Sequence, residues 1–170
     1  QGWSTTTGSA TKIDVSYSGN QIDALDGTSL AMFSYKPVSN ILSCTYNCIP
    51  GKIEAENYFF ESGISVEGCS DVDGGYNIGY LNTGDYVDYY INAKYSGSFQ
   101  VSYRNAADGH NGSLEMQLID SLGNAITLNT ANFTSTGGWQ NWQTTNTSEV
   151  FWLNKGIHHI RVLITLQEYN

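Results

Sequence analysis

Two glutamates in the first half of the chain, Glu54 and Glu56, have a spacing that could bind a metal ion. They alternate with Ile53 and Ala55, a pattern that predicts a β-strand with both carboxylates on one face, about 7 Å apart along the chain. Two like charges this close require water, a basic partner or a cation, and Ca²⁺ is bound by several carboxylate and carbonyl oxygens at once. The spacing is therefore equally consistent with a calcium site and with a solvated edge strand.

A second group of candidates consists of aromatic residues beside glycine-rich turns. Several of the 12 tyrosines fall between residues 76 and 90, and Trp139 and Trp142 follow the turn Thr136-Gly137-Gly138. Aromatic faces pack against the C–H groups of sugar rings, whose hydroxyls exchange hydrogen bonds with Asn, Gln and carboxylate side chains. Because loops lie on the surface, we expect Tyr80 and Trp139 to be exposed. Trp142 falls inside a predicted strand and is expected to pack in the core.

The charge balance narrows the class of ligand. The 170 residues include 7 Lys and Arg against 16 Asp and Glu, for a formal net charge of −9, and only 14% of residues are charged. An acidic chain repels phosphate backbones, so we expect no nucleic-acid partner. No apolar run approaches the roughly 18 residues that span a membrane. A polar but weakly charged surface suits a neutral, hydroxyl-rich ligand.

Sequence motifs of enzymes are largely missing. The chain has no G-x-S-x-G elbow, no H-E-x-x-H pair and no phosphate-binding glycine loop. His158 and His159 are adjacent, so on a strand they point to opposite faces and cannot share a metal ion. A glycosidase needs two facing carboxylates, and no acidic cluster of that kind stands out. Distant strands could still assemble such a pair, so a jelly-roll glycoside hydrolase stays open as the alternative function.

The elements that must position these residues are predicted to be short β-strands. Apolar or alternating runs recur between Gly, Asn and Asp residues, and no stretch keeps a helical period over ten residues. This pattern of short runs and turn residues predicts an antiparallel sandwich or barrel. In the last run, His158, Ile160, Val162 and Ile164 share the expected core face, with His158 as a structural residue at its rim. The predicted strands cover 52–58, 86–93, 97–106, 113–120, 125–129, 139–145, 149–153 and 156–166.

Residues 1–47 differ in residue pattern from the rest of the chain and are predicted to be a linker or the end of a neighbouring domain, with two or three strands.

The three cysteines, Cys44, Cys48 and Cys69, allow one disulfide and leave one thiol. Sparse charge with many Ser, Thr and Asn residues is typical of extracellular proteins, in which a disulfide persists. No signal peptide is visible at Gln1.

From residue 49 onward the chain resembles a family 6 carbohydrate-binding module. Several motifs occur in the order found in that family, over roughly 120 residues, which makes the resemblance far more specific than any single motif. The matching segments are IPGKIEAENY (49–58), VEGCSD (66–71), NIGYL (77–81), TGDYVDY (83–89), VSYR (101–104), STGGWQNW (135–142) and GIHHIRV (156–162).

The resemblance implies an all-β jelly-roll sandwich over residues 48–170 that binds polysaccharide and is not catalytic. It implies a secreted protein in which the module is tethered to a glycoside hydrolase. The glycans of such modules include xylan, mixed-linkage glucan, β-1,3-glucan and agarose, and we favour β-1,3-glucan.

By motif position, the resemblance also assigns roles to individual residues of this sequence. Tyr80 and Trp139 would hold a sugar ring in a loop cleft, with Asn170 supplying hydrogen bonds. Glu67 and Tyr86 would form a second site on the concave sheet face, and Glu67 is also a candidate partner for hydroxyls in the loop cleft. Glu54 and Glu56 would bind a structural Ca²⁺.

The cysteines and the C-terminus complete what the resemblance implies. Cys48 and Cys69 would form a disulfide, with a Cys44–Cys48 bridge as the alternative. Members of the family usually continue with a final strand that this sequence does not show after Asn170. Residues 30–35 are the predicted replacement, packed on the module in the vacant place.

Overall fold

The structure is a computed structural model of the 170-residue chain. It describes residues 46–167 and 169–170 fully, and residues 4–8, 12–17, 22–23, 29–30 and 33–38 as backbone strands only. The chain divides into two compact units, Gln1–Ser43 and Cys44–Asn170. Among the described residues, no helix is long and apolar enough to cross a membrane.

The first unit contains five described strands. β1, β2 and β5 form an antiparallel sheet in the order β1-β2-β5, and β3 pairs with β4. The predicted segment 30–35 falls partly on these strands, but Ala31 and Met32 lie outside the described residues. The strands are β1 (Ser4–Gly8), β2 (Lys12–Tyr17), β3 (Ile22–Asp23), β4 (Ser29–Leu30) and β5 (Phe33–Val38).

The second unit contains twelve described strands. Its main sheet has six of them, in the order β14-β13-β17-β10-β6, with β7 also paired to β10. Three strand pairs complete the unit, namely β8–β9, β11–β16 and β12–β15. The strands are β6 (Asn47–Ile49), β7 (Phe60–Ser62), β8 (Ser65–Gly68), β9 (Tyr76–Gly79), β10 (Tyr86–Ala93), β11 (Gly97–Phe99), β12 (Ser102–Ala107), β13 (Gly112–Ile119), β14 (Ala125–Phe133), β15 (Gly138–Asn146), β16 (Phe151–Leu153) and β17 (Gly156–Leu166).

The core lies between the main sheet and the smaller strand pairs. β10 directs Val87 and Tyr89 inward, and β17 directs Ile160 and Ile164 to the same side. Phe133 of β14 is 1% exposed at its centre, and Phe99 of β11 belongs to the same buried cluster. The predicted all-β sandwich is confirmed, and so is the predicted core face of β17.

The predicted strand over 52–58 is wrong. Residues 55 and 56 form a turn, closed by a hydrogen bond from the Asn57 amide to the Glu54 carbonyl at 3.0 Å. The turn is tied to the core because the Tyr89 hydroxyl donates to the Ala55 carbonyl at 2.6 Å. The alternation of apolar and acidic residues is typical of a strand and led to the wrong prediction. The hydrogen bond from the buried Tyr89 side chain instead holds this backbone in a turn.

The predicted Cys48–Cys69 disulfide is also wrong. Cys69 is a free, half-buried thiol whose sulfur accepts a hydrogen bond from the Asp71 amide at 3.4 Å. Cys48, on β6, is disulfide-bonded. Because Cys69 is a free thiol, it is not the partner in that disulfide. The alternative Cys44–Cys48 pairing involves Cys44, which lies outside the described residues.

Candidate functional site

The side chain of Asn170 connects two segments that are far apart in the sequence. The backbone positions it, because the Asn170 amide donates to the Ala106 carbonyl at 2.7 Å and the Ala106 amide donates back at 3.1 Å. From this position, Asn170 Nδ2 donates to Glu67 Oε1 at 2.9 Å and to the Trp139 carbonyl at 3.1 Å. Three residues predicted for carbohydrate binding therefore meet at one point.

Glu67 lies on β8 and is held by the neighbouring strand β9. Asn77 is buried, and its Nδ2 donates a hydrogen bond to Glu67 Oε1 at 3.2 Å, the oxygen that also accepts from Asn170. A Cβ atom at Gly79 would lie 3.0 Å from Asn170 Oδ1 and 3.2 Å from Glu67 Oε1. A side chain at this position would therefore crowd these polar atoms, which would have to shift by a few tenths of an ångström.

Tyr80 follows Gly79 directly and projects into solvent. Its side chain is 70% exposed, and its backbone has a φ of 60°, a left-handed conformation that costs energy for a residue with a Cβ. Asp85 stabilises the loop beyond it by accepting a hydrogen bond from the Asn82 amide at 2.7 Å. Strain of this kind persists where the surrounding structure fixes it, often at a binding site.

Trp139 is the second residue of β15 and follows a glycine turn. Gly137 has a φ of 81°, and the turn is fixed to β12 because Thr136 Oγ1 accepts a hydrogen bond from the Ala107 amide at 2.8 Å. The Trp139 side chain is 41% exposed. The predicted exposure of Tyr80 and Trp139 is confirmed, and both belong to segments that contact the Asn170–Glu67 pair.

Tyr86 lies on β10, in a different environment. The Arg161 guanidinium carbon lies 3.7 Å from the centre of its ring, and the Phe60 ring is 5.9 Å away. Glu67 instead accepts hydrogen bonds from Asn77 and Asn170. The two residues predicted to form a second site thus have separate neighbours.

Glu54 and Glu56, predicted to bind Ca²⁺, lie in the turn at residues 54–57. The Glu54 carboxylate is exposed and forms an ion pair with Lys52 Nζ at 2.8 Å, and Glu56 is half-buried. Within the described part of the chain, no group of three or more His, Cys, Asp or Glu side chains is arranged to hold a metal ion.

Sequence reasoning missed two amide side chains that support the site, those of the buried Asn77 and the half-buried Gln140. Asn77 bonds to Glu67, and Gln140 Nε2 donates to Asn77 Oδ1 at 3.5 Å. Both residues lie in motifs that resembled the family, but their roles depend on contacts between segments more than 60 residues apart. Trp142, predicted to be a core residue, is instead half-buried and donates through Nε1 to Gln140 Oε1 at 3.2 Å.

The arrangement combines two exposed aromatic rings with a centre of amides and one carboxylate. Flat apolar surfaces beside fixed polar groups suit a ligand with both C–H faces and hydroxyls. The family model for carbohydrate-binding module family 6 matches residues 54–170. This chain belongs to family 6 of the carbohydrate-binding modules.

Modules of this family are generally non-catalytic carbohydrate-binding domains. The chain is similar to a module from Cellvibrio mixtus lichenase 5A in complex with cellotriose, with 32% identity, a TM-score of 0.60, and coverage of 69% of this chain and 88% of that one. It is also similar to a β-1,3-glucan-binding family 6 module from Bacillus halodurans, with 30% identity, a TM-score of 0.63, and coverage of 72% and 89%.

A further relative is the clotting factor G alpha subunit of Tachypleus tridentatus. The two sequences are 31% identical in an alignment of 138 positions that covers 78% of this chain. The chain spans only 20% of the length of that subunit.

Proposed function

We propose that this module binds a neutral glycan chain, with β-1,3-glucan favoured over xylan, mixed-linkage glucan and agarose. The observation that carries the proposal is the exposure of Tyr80 and Trp139 beside the hydrogen-bonded pair of Asn170 and Glu67. The choice of β-1,3-glucan is supported by the similar module from Bacillus halodurans, which binds that glycan.

Each part of the site has a distinct task in this proposal. The rings of Tyr80 and Trp139 cover the apolar faces of a sugar, which removes C–H surface from water. Among the described residues, the two side-chain bonds that Glu67 receives both use Oε1, and we assign Oε2 to accept a hydrogen bond from a sugar hydroxyl. Asn170 donates through Nδ2 and keeps Oδ1 as a second acceptor.

The electrostatics favour a neutral glycan over an anionic one. The chain has a formal net charge of −9, and the Glu67 carboxylate lies within the site itself. Both repel sulfate and carboxylate groups on a sugar. A glycan that carries only hydroxyls avoids this repulsion.

A panel of polysaccharides tests the proposed specificity. Native affinity electrophoresis is carried out in gels that contain laminarin, xylan, mixed-linkage glucan or agarose, with bovine serum albumin as a non-binding reference. We expect laminarin to retard this chain most. The choice of β-1,3-glucan fails if another glycan retards it more, and the whole proposal fails if none does.

We further propose that the module binds glycan without cleaving it. Both glycosidase mechanisms need two carboxyl groups, about 5 to 9.5 Å apart across the bond that is cleaved. Among the residues that the structure describes, the hydrogen-bonded centre contains one carboxyl group, that of Glu67. A reducing-sugar assay on the same polysaccharides should give no signal above the blank. Release of reducing ends would instead support the jelly-roll hydrolase.

A structural Ca²⁺ at Glu54 and Glu56 is a separate part of the proposal. Carboxylate oxygens are suitable ligands for Ca²⁺. Because the Glu54 carboxylate forms an ion pair with Lys52, Ca²⁺ must displace the Lys52 ammonium group when it binds. Calcium should raise the Tm of the parent and leave that of the Glu54→Gln/Glu56→Gln double variant unchanged. An equal Tm for the parent in calcium and in EDTA would contradict this site.

We also propose that the module is secreted as part of a longer protein, tethered to a catalytic domain. The similar module from lichenase 5A belongs to a named enzyme, and the low fraction of charged residues is typical of extracellular proteins. An antibody to this chain should detect a larger protein in the culture medium. Detection only inside cells would contradict secretion.

A further inference from the structure

The carboxylate of Asp85 closes the loop that follows Tyr80, and it has no role in the proposed function. Asp85 Oδ2 accepts hydrogen bonds from the Asn82 amide at 2.7 Å and from Asn82 Nδ2 at 3.3 Å. A backbone bond closes the same turn, because the Asp85 amide donates to the Asn82 carbonyl at 3.0 Å. Residues 82–85 therefore form one hydrogen-bonded turn, which we call the Asp85 clasp.

The Asp85 clasp is bonded directly to Tyr80. Asn82 Nδ2 also donates to the Tyr80 carbonyl at 3.3 Å, and Leu81, between the two, is buried in the core. On its other side Tyr80 follows Gly79, which lies against the hydrogen-bonded centre of the site. The Tyr80 backbone is thus fixed at both ends. Its φ of 60° requires this, because a strained backbone persists only where the surrounding contacts fix it.

Contacts with two other segments hold the Asp85 clasp in place. The Ile164 amide of β17 donates to the Asp85 carbonyl at 2.8 Å, and the Ile164 carbonyl accepts from the Gly84 amide at 2.9 Å. The turn between β7 and β8 packs against the carboxylate at Gly63, where a Cβ atom would overlap Asp85 Oδ1. Gly63 also has a φ of 84°, a conformation that favours glycine. Gly63 therefore allows the two segments to meet around the half-buried carboxylate.

We propose that Asp85 is a positioning residue for glycan binding, which fixes the backbone from which the Tyr80 ring projects and does not touch the sugar. The inference rests on the proposed function and deepens it. Because the Tyr80 side chain is 70% exposed, the direction of its ring is set mainly by its backbone. A ring that is fixed before binding loses less conformational freedom when a sugar packs on it. Loss of the Asp85 clasp removes this advantage.

A double-mutant cycle in the full chain separates positioning from a general effect on the fold. Dissociation constants for laminarihexaose are measured by NMR titration, which also quantifies weak binding, for the parent, Asp85→Ala, Tyr80→Ala and the double variant. We expect Asp85→Ala to weaken binding about tenfold when Tyr80 is present. In the Tyr80→Ala background its effect should be less than about twofold, because the position of a missing ring has no effect on the sugar.

Two single variants serve as controls for the cycle. Asp85→Asn keeps a side-chain oxygen that accepts from the Asn82 amide, so it should restore most of the affinity that Asp85→Ala loses. Asp120→Ala breaks a similar turn between β13 and β14, in which the Asn124 amide and Asn124 Nδ2 donate to the Asp120 carboxylate, each at 2.8 Å. That turn has no assigned part in glycan binding, so Asp120→Ala should bind like the parent.

The inference is overturned if Asp85→Ala binds like the parent, if it weakens binding equally with and without the Tyr80 ring, or if Asp120→Ala causes the same loss. If circular dichroism shows that Asp85→Ala is unfolded, Asn82→Ala replaces it in the cycle. That variant removes the Nδ2 bonds to Asp85 and to Tyr80, and the same results would support or overturn the inference. A parent that does not bind laminarihexaose refutes the proposed function, and with it the positioning role.

Discussion

Asn170 shows how much of the site depends on single side chains. Its Nδ2 donates to both Glu67 and the Trp139 carbonyl, so it joins the β8 segment to the start of β15. The residue could be predicted by motif position. Its two hydrogen-bond acceptors could not be predicted, because Glu67 lies 103 residues away along the chain and the local sequence pattern does not specify that contact.

Replacing Asn170 by alanine should weaken glycan binding without unfolding the module. The backbone bonds to Ala106 remain, but two side-chain bonds are lost, one of them to a charged acceptor. We expect affinity for laminarihexaose to fall roughly tenfold, measured by titration calorimetry. Asn132→Ala, at an exposed position of β14, is the matched control. Equal losses in the two variants would contradict the assigned role.

The Asp71–Arg104 ion pair should make stability depend on acidic pH. The hydrogen bonds from Arg104 lower the pKa of Asp71 from 3.8 to about 2. A carboxyl whose pKa is lowered on folding stabilises the protein above its unfolded pKa, and this stabilisation is lost as the pH falls through the folded value.

The Tm of the parent should therefore exceed that of Asp71→Asn at pH 5, and the gap should close as the pH falls towards 2. Thermal unfolding followed by circular dichroism at low salt measures this gap, which is small because the pair is exposed. A gap that widens on acidification would show that Arg104 does not hold the charged form of Asp71.

At the scale of elements, strands with clear alternation were predicted well. β17 spans residues 156–166 as predicted, and β10 spans 86–93, because each buries one face against a core. The short strands β7, β8 and β9 were not predicted. Three or four residues carry too little periodicity, and these strands are stabilised by their partners in the sheet.

The pairing of β10 with β17 places one ion pair where its loss should be costly. Asp88 and Arg161 are directly opposite in the register, Asp88 is only 3% exposed, and both carboxylate oxygens accept from the guanidinium at 2.8 Å. Arg161→Met removes the bidentate partner of this buried carboxylate and leaves it with His159, whose Nε2 lies 3.2 Å from Asp88 Oδ2. Removing one partner of a buried ion pair costs about 3–5 kcal/mol. We expect the Tm to fall by about 10 °C or more.

Arg104→Met is the matched control for Arg161→Met, because it breaks a bidentate pair of the same type at an exposed position. Its Tm should change far less. Similar decreases in the two variants, measured by scanning calorimetry, would contradict the claim that burial determines the cost.

For the whole molecule, the sequence was sufficient to predict the sandwich and the exposure of Tyr80 and Trp139. It was insufficient for the supporting network of Asn77 and Gln140, whose contact joins two strands from separate strand pairs, β9 and β15. The disulfide prediction failed for a related reason, because a family position gives no information on where the Cys69 sulfur points. Long-range packing decides these details.

The central claim is that the exposed ring of Trp139 holds a glycan, and calorimetric titration with laminarihexaose tests it most directly. Truncating a binding-site tryptophan typically costs about 2 kcal/mol or more, or roughly 30-fold in affinity, so Trp139→Ala should lose binding to that extent. Trp152→Ala, an exposed tryptophan of β16, should bind like the parent. If Trp139→Ala and Trp152→Ala both bind as the parent does, the site lies elsewhere and the account is wrong.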